Sequence, residues 1–335
     1  EELGDEGMVS DNGKRYIRGC ITNGIGGLLL LALYQALPTY TLVSVGIQLA
    51  VYLLHGLPQR SEKYYDLSGS ATHLALIVTS LVSASRARTP RQLVCAVGGV
   101  IWLTRLGSFL FLRIQKDGKD ERFDHLKPNW LAFLGAWTLQ ALWVALIQAP
   151  ILLINDVDDA APLGPLDALA LAAWLVGFLV EALADVQKFT FRLDPSNRHK
   201  FITTGLWSNS RHPNYFGEIT MWTAMAACVS AAGVAMGDLR VATLAWVSPA
   251  FTVVLLLKVS GVPMVQKAGE KKWGSDPAYR HYMANTNLLL PGRAAGPLPA
   301  DAAAPGDTAV PDATPSTDKA LTRSASKQQG KAELM

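Results

Sequence analysis

The densest concentration of chemically able side chains lies in residues 185–217, which read DVQKFTFRLDPSNRHKFITTGLWSNSRHPNYFG. Asp185, Lys188 and Arg192 fall at i, i+3 and i+7, the spacing of one helical face. Two cations on such a face, at the end of an apolar run, suit a phosphate or pyrophosphate. They equally suit a snorkelling collar against lipid headgroups. The segment from Gly205 to Glu218 adds Trp207, Arg211, His212, Asn214, Tyr215 and Glu218 within 14 residues. Pro213 forbids a continuous helix through His212, so a helix should start there. Free N–H groups and the helix dipole beside Arg211 favour an anion. The bland alternative is an interfacial belt of Trp and Tyr with a basic flank. Glu181, one turn before Asp185, is an acid within an apolar run and a functional candidate for that reason. Arg105 is an eligible partner for it. No nucleotide-binding glycine pattern, Walker loop or nucleophile elbow occurs, and the six histidines show no metal-ligand spacing. No metal site is expected.

These residues need elements to hold them, and composition names the class. The chain has 335 residues, 50% hydrophobic and 17% charged, with a mean hydropathy of +0.21. Soluble domains carry about 25% charged residues, so a soluble multi-domain enzyme is disfavoured and an integral membrane protein is expected. A net charge of +3 without a basic run excludes nucleic acid as a partner. Cys20, Cys95 and Cys228 adjoin apolar stretches and read as small buried residues, not as a disulfide or zinc framework. Eight apolar runs approach the ~20 residues that cross a bilayer: 20–37, 40–56, 71–85, 92–112, 129–150, 165–184, 218–236 and 241–259. The expected fold is an all-α polytopic membrane bundle of about eight spans with a polar cytosolic cap. Residues 1–19 form a polar N-terminal segment, 20–295 the membrane domain and 296–335 a disordered tail. No signal-peptide pattern opens the chain, and Glu1 in place of an initiator Met points to a preceding segment. Alternate loops on this map carry 20 cations on one side and 4 on the other. Cytoplasmic loops are enriched in Lys and Arg, so both termini and the 185–217 stretch are expected in the cytosol. The loop 151–164, with Asp156, Asp158 and Asp159, is expected outside.

The combination of QKFTFR at 187–192, GLW at 205–207 and SRHPNYFGE at 210–218 resembles the steroid 5-alpha-reductase-like C-terminal domain family. Ser260–Pro263, Glu270–Gly274, Tyr279, Tyr282 and Pro291 extend the likeness. Upstream, Arg105-Leu-Gly107, Arg113, Gly118, Asp120, Arg122 and Phe123 resemble an uncharacterised-domain branch of that family. The likeness covers roughly residues 100–295. Isoprenylcysteine carboxyl methyltransferases share the RHP-x-Y-x-G turn and use S-adenosylmethionine. Their pattern expects a paired Glu where this chain reads Met264-Val-Gln-Lys267 and then Glu270, so the likeness to the reductases is the closer one.

The resemblance implies a membrane enzyme that reduces an activated C=C bond of a sterol-like or enoyl lipid with NADPH; the alternatives are an S-adenosylmethionine-dependent methyltransferase or a non-enzymatic protein that kept the fold. It implies that the cytosolic cap is cofactor-binding, with Lys188, Arg192, Arg211 and His212 in contact with cofactor phosphates. Trp207, Asn214 and Tyr215 would line the nucleotide or nicotinamide. Glu218 takes the place of an acidic residue common after the turn, and Asn197 and Lys200 are secondary candidates. Tyr215 and Glu181 are the candidate proton donors. The endoplasmic reticulum is the expected membrane, although the charge count suits a bacterial inner membrane as well.

Overall fold

The computed structural model describes residues 2–83, 87–117, 120, 123–158, 160–292, 294 and 296. Gly118, Arg122, the side chain of Arg113 and the tail from residue 297 lie outside the described residues. Among these residues the fold is all-helical, and residues through Gly296 form one compact unit. Helix α1 runs Glu2–Ala36, so the polar segment and the first apolar run share a single helix. It is followed by α2 (Pro38–Val51), α3 (Tyr65–Val82), α4 (Pro90–Asp117) and α5 (Trp130–Asn155). Then come α6 (Pro165–Leu193), α7 (Pro213–Met236), α8 (Leu239–Leu244) and α9 (Val247–Val254). Two short amphipathic helices close the unit, α10 (Val262–Trp273) and α11 (Pro277–Asn285).

Seven helical stretches among the described residues are long and apolar enough to span a membrane. The chain is an integral, multi-pass membrane protein. Its outer surface agrees, because Leu28, Leu54, Leu166, Leu169, Val176 and Leu179 are all exposed. In water such a surface would be an aggregation liability; a bilayer covers it.

The remaining expected span, 71–85, corresponds to α3, whose 18 residues are about 27 Å long. Its hydropathy is lowered by polar residues that face α5 and not lipid. Gln140 donates to Ser68 (3.4 Å), Gln148 meets His73 Nδ1 (3.0 Å) and Asn155 donates to Ser80 (2.9 Å). The contacts ascend together, so α3 runs parallel to α5 and alongside its C-terminal half.

Contacts of this kind fix the direction of the other passes. Helix α1 is parallel to α5, with Asn23 donating to the Leu131 carbonyl (2.8 Å). Helix α4 is antiparallel to α5, with Gln92 donating to the Ile154 carbonyl (2.9 Å). Helices α4 and α6 are parallel, and α6 and α7 are antiparallel. One end of the bundle therefore gathers the ends of α3, α5 and α7 with the starts of α4, α6 and α8. The opposite end carries residues 194–212, α10 and α11, and is called the cap end below.

Helix limits differ from the apolar runs where polar residues or proline intrude. Helix α5 passes through Pro150 to Asn155, α6 continues to Leu193, and α7 begins at Pro213. Cys95 and Cys228 are buried as expected, whereas Cys20 is exposed. Its outward position on α1 follows from the neighbouring Gly19, whose missing Cβ lets α1 lie against the backbone of Leu131 and Ala132.

Candidate functional site

Helices α6 and α7 touch backbone to backbone. A Cβ added to Gly217 would lie 2.6 Å from the Glu181 nitrogen, and one added to Gly177 would lie 2.7 Å from the Gly217 carbonyl oxygen. That approach sets Glu218 beside Glu181 and Asn214 beside Asp185, and Asn214 donates to Asp185 Oδ1 (3.1 Å). From α4, the Arg105 guanidinium pairs with both Glu181 and Asp185. Three carboxylates thus surround one guanidinium within the bundle. Glu181 is only 4% exposed, and its Oε2 has no hydrogen-bond partner; Oδ1 of Asn214 has none either.

The cap is built on the same two helices. A 3-10 turn, Gly205–Ser208, begins at Gly205 with φ of 61°, where a side chain would be strained and would also meet Gln187. Gln187 accepts from the Leu206 N–H (2.9 Å), and Trp207 donates its indole N–H to the Ala184 carbonyl (3.0 Å). From α11, Tyr282 donates to the Trp207 carbonyl (2.7 Å). Trp207 is therefore a buried plug at 3% exposure. Its face carries Lys188, whose Nζ stands 4.5 Å from the ring centroid.

Residues following α11 hold the next turn. Ser210 donates to the Leu289 carbonyl (2.8 Å), and the Arg211 N–H donates to the Asn287 carbonyl (2.8 Å). Pro213 occupies the first turn of α7 and His212 is its cap residue, with φ of −142°. The imidazole is buried and stacks on Tyr215, with ring centroids 4.9 Å apart and planes 4° apart. Burial, helped by the nearby charges of Lys188 and Arg211, lowers the His212 pKa to about 3, so the ring is neutral. Neither Lys188 nor Arg211 has a carboxylate within ion-pairing distance among the described residues. The Arg211 guanidinium donates to Met283 Sδ (3.7 Å), and its Nε is buried without a partner. Phe201 packs against Trp273, Tyr279 and Tyr282, and Trp273 donates to the His199 carbonyl (2.8 Å), fastening α10 to the cap.

Glu181, Lys188, Trp207, Arg211, His212, Asn214, Tyr215 and Glu218 are thus gathered where α6 ends and α7 begins. Arg192 lies one turn beyond Lys188 on the exposed end of α6. Asn197 is farther off and donates to the Phe191 carbonyl (3.1 Å); Lys200 is exposed. Arg105 answers to Glu181 as its eligible partner, and also to Asp185. Gln187 and Asn287 position the site without having been singled out, because backbone anchoring leaves no mark in side-chain chemistry.

Two apolar grooves flank α6. One, of about 500 Å³, lies between α6 and α7 from Leu166 to Phe216, Leu289 and Leu290. The other, of about 570 Å³, lies between α4, α6 and α7 toward the opposite end. No group of three or more His, Cys, Asp and Glu able to hold a metal occurs among the described residues.

Residues 52–286, which include Glu181, Lys188, Trp207, Arg211, His212, Asn214, Tyr215 and Glu218, match the model of a family described as proteins of unknown function, DUF1295. The chain belongs to that family. No curated protein and no solved structure matches it.

Proposed function

We propose that the chain is an NADPH-dependent reductase of an activated C=C bond in a sterol-like or enoyl lipid. The observation that carries the reading is the pair of cations, Lys188 and Arg211, that lack carboxylate partners while flanking a neutral His212. Cations held at the edge of an apolar bundle without a salt-bridged carboxylate favour an anionic ligand. A dinucleotide with a pyrophosphate and a 2′-phosphate offers several anionic groups to two cations, whereas S-adenosylmethionine offers one carboxylate offset by an ammonium and a sulfonium. The resemblance of residues 187–218 to steroid 5-alpha-reductase-like proteins supports the same choice.

Lys188 and Arg211 would hold phosphate oxygens, with Arg192 on the exposed turn beside them. Trp207, buried and bonded to Ala184, props Lys188 in place instead of lying along the ligand. NADPH, when bound, supplies a hydride. Tyr215 is the residue we assign as proton donor, because its ring lies at the α7 start beside the phosphate-binding cations. Glu181, committed to Arg105, positions α4 against α6. A hydrophobic substrate reaches this end along the groove between α6 and α7, which terminates at Phe216 next to Tyr215. The excess of 20 cations over 4 supports a cytosolic cap, where NADPH is available, and the endoplasmic reticulum is the membrane we favour.

Equilibrium binding in detergent tests the reading. NADPH should bind about tenfold or more tighter than NADH, since one charge-assisted phosphate contact contributes roughly 1.5–3 kcal/mol. Equal affinities for the two would overturn the assignment of a cation to the 2′-phosphate.

A further inference from the structure

The last membrane-spanning stretch hands the chain directly to α10. After the π-helical turn Leu255–Val259 the backbone bends at Ser260 and Gly261, so tightly that a Cβ on Gly261 would lie 2.3 Å from the Leu256 carbonyl oxygen. The inner side of α10 packs on the cap, with Val262 and Gly269 buried and the Tyr279 hydroxyl set against Gly269. Its outward side carries an apolar strip of Met264, Val265 and Ala268, all exposed. By helical periodicity Lys267 and Lys271 edge that strip and Lys272 crosses it; all three are exposed. Lys272 donates to the Arg198 carbonyl (3.1 Å) and Trp273 to the His199 carbonyl (2.8 Å), which brings the exposed Arg198 to the end of the helix. Among the described residues none of these four cations forms an ion pair, and Glu270 is the one acid on α10. The helix begins three residues after Val259, which is exposed on the lipid-facing surface, so it starts at the depth of the headgroups. An apolar strip flanked by cations at that depth is the pattern of a helix lying in the membrane surface.

We propose that α10 lies in the plane of the bilayer surface and binds anionic phospholipids. Met264, Val265 and Ala268 sit at the boundary of headgroups and acyl chains, and Lys267, Lys271, Lys272 and Arg198 meet headgroup phosphates. Long basic side chains reach such phosphates while their alkyl stems stay on apolar surface. Each cation near an anionic surface adds to the attraction, and salt screens it. A cytosolic cap would face the leaflet that carries such lipids. The seat also steadies the cap. Trp273 of α10 packs on Phe201, and Phe201 packs on Tyr282, whose hydroxyl donates to the Trp207 carbonyl (2.7 Å). Lys188 and Arg211 take no part in it, so the seat stands apart from the cofactor assignment.

The test places one fluorophore on α10 of the full chain. Cys20→Ser leaves only buried cysteines, and Met264→Cys then takes an environment-sensitive NBD label. The protein is reconstituted into nanodiscs of phosphatidylcholine alone, or of phosphatidylcholine and phosphatidylglycerol in equal parts, with matched discs whose acyl chains are brominated near the headgroup. Quenching by the brominated lipid should be about threefold or more stronger in the discs that contain phosphatidylglycerol. Adding Lys267→Gln, Lys271→Gln and Lys272→Gln should remove that difference. Equal quenching in the two compositions, a difference that survives the three substitutions, or a water-exposed label in both would overturn the proposal. Should the triple variant fail to fold, the comparison of the two compositions with the lysines in place decides the matter alone.

Discussion

Two ends of the same helix trio are built on one plan and finished differently. Arg91 and Arg105 of α4 lie fourteen positions apart, as do their partners Asp167 and Glu181 of α6, so each pair repeats after about four turns on one face. At the far end the arrangement is closed. Arg91 pairs with Asp167 and donates to the carbonyls of Ala161 (2.9 Å), Pro162 (2.8 Å) and Cys228 (2.8 Å). Asp167 also accepts from the Gly164 N–H (2.6 Å), capping α6. One charge meets one charge, and neither appears among the buried atoms without partners. At the cap end Arg105 meets Glu181 and Asp185 with Glu218 alongside, and Glu181 Oε2 and Asn214 Oδ1 are left over. The balanced pair belongs to the architecture; the unbalanced one lies next to Lys188 and Arg211, which lack paired carboxylates among the described residues.

Breaking the closed pair should have the largest effect. Arg91→Ala strands a buried carboxylate, a loss of about 3–5 kcal/mol. It should abolish a cooperative thermal transition in detergent or lower the transition by far more than any cap variant does; an unchanged melting temperature would refute the closed-pair reading. Gly217→Val comes next. Its side chain would collide with Glu181 and the α6 backbone, at a cost of about 1–3 kcal/mol, and should weaken cofactor binding by parting Asn214 from Asp185. Wild-type stability with normal binding would mean that the α6–α7 contact is less close than described.

The third expectation concerns pH. His212 is held neutral in the fold, with a pKa of about 3 against roughly 6.5 unfolded. Below about 6.5 the unfolded chain takes up a proton that the native ring refuses, so this group lowers stability as pH falls from 6.5 toward 3. Above 6.5 it contributes no slope. His212→Asn should flatten the decline in melting temperature over that window, and identical profiles would show that the ring is solvated. The smallest effect should come from Glu218→Gln, which relieves an excess of negative charge. It should be neutral or slightly stabilising, within about 1 kcal/mol, where Asp167→Asn is clearly destabilising. Equal losses from both would erase the contrast between the two ends.

Much of the architecture was legible because the bilayer sets a length that apolar runs must meet. Pro150 misled at the end of α5, since proline is tolerated inside a membrane helix. Helix α3 lay at the edge of legibility because Ser68, His73 and Ser80 face Gln140, Gln148 and Asn155, lowering its hydropathy without exposing it to water. The cap residues were visible as a cluster, for they lie within 34 positions of each other in the chain. What could not be read were the distant partnerships. Arg91 looks like a loop cation and Asp167 like a helix-end acid; only the repeated spacing of fourteen on both helices hints that they meet. Trp207 shows the converse limit: the resemblance implied a ligand contact, and nothing in its type announced that its indole N–H is held by the Ala184 carbonyl.

The central claim, that the cap binds a nicotinamide dinucleotide phosphate through Lys188 and Arg211, is tested most directly by one thermal-shift comparison. Purified protein in detergent is melted alone, with NADPH and with S-adenosylmethionine. NADPH should raise the melting temperature, S-adenosylmethionine should leave it unchanged, and the NADPH shift should vanish in the Lys188→Ala/Arg211→Ala variant. Stabilisation by S-adenosylmethionine alone, an NADPH shift that survives the double substitution, or no shift with either ligand would contradict it.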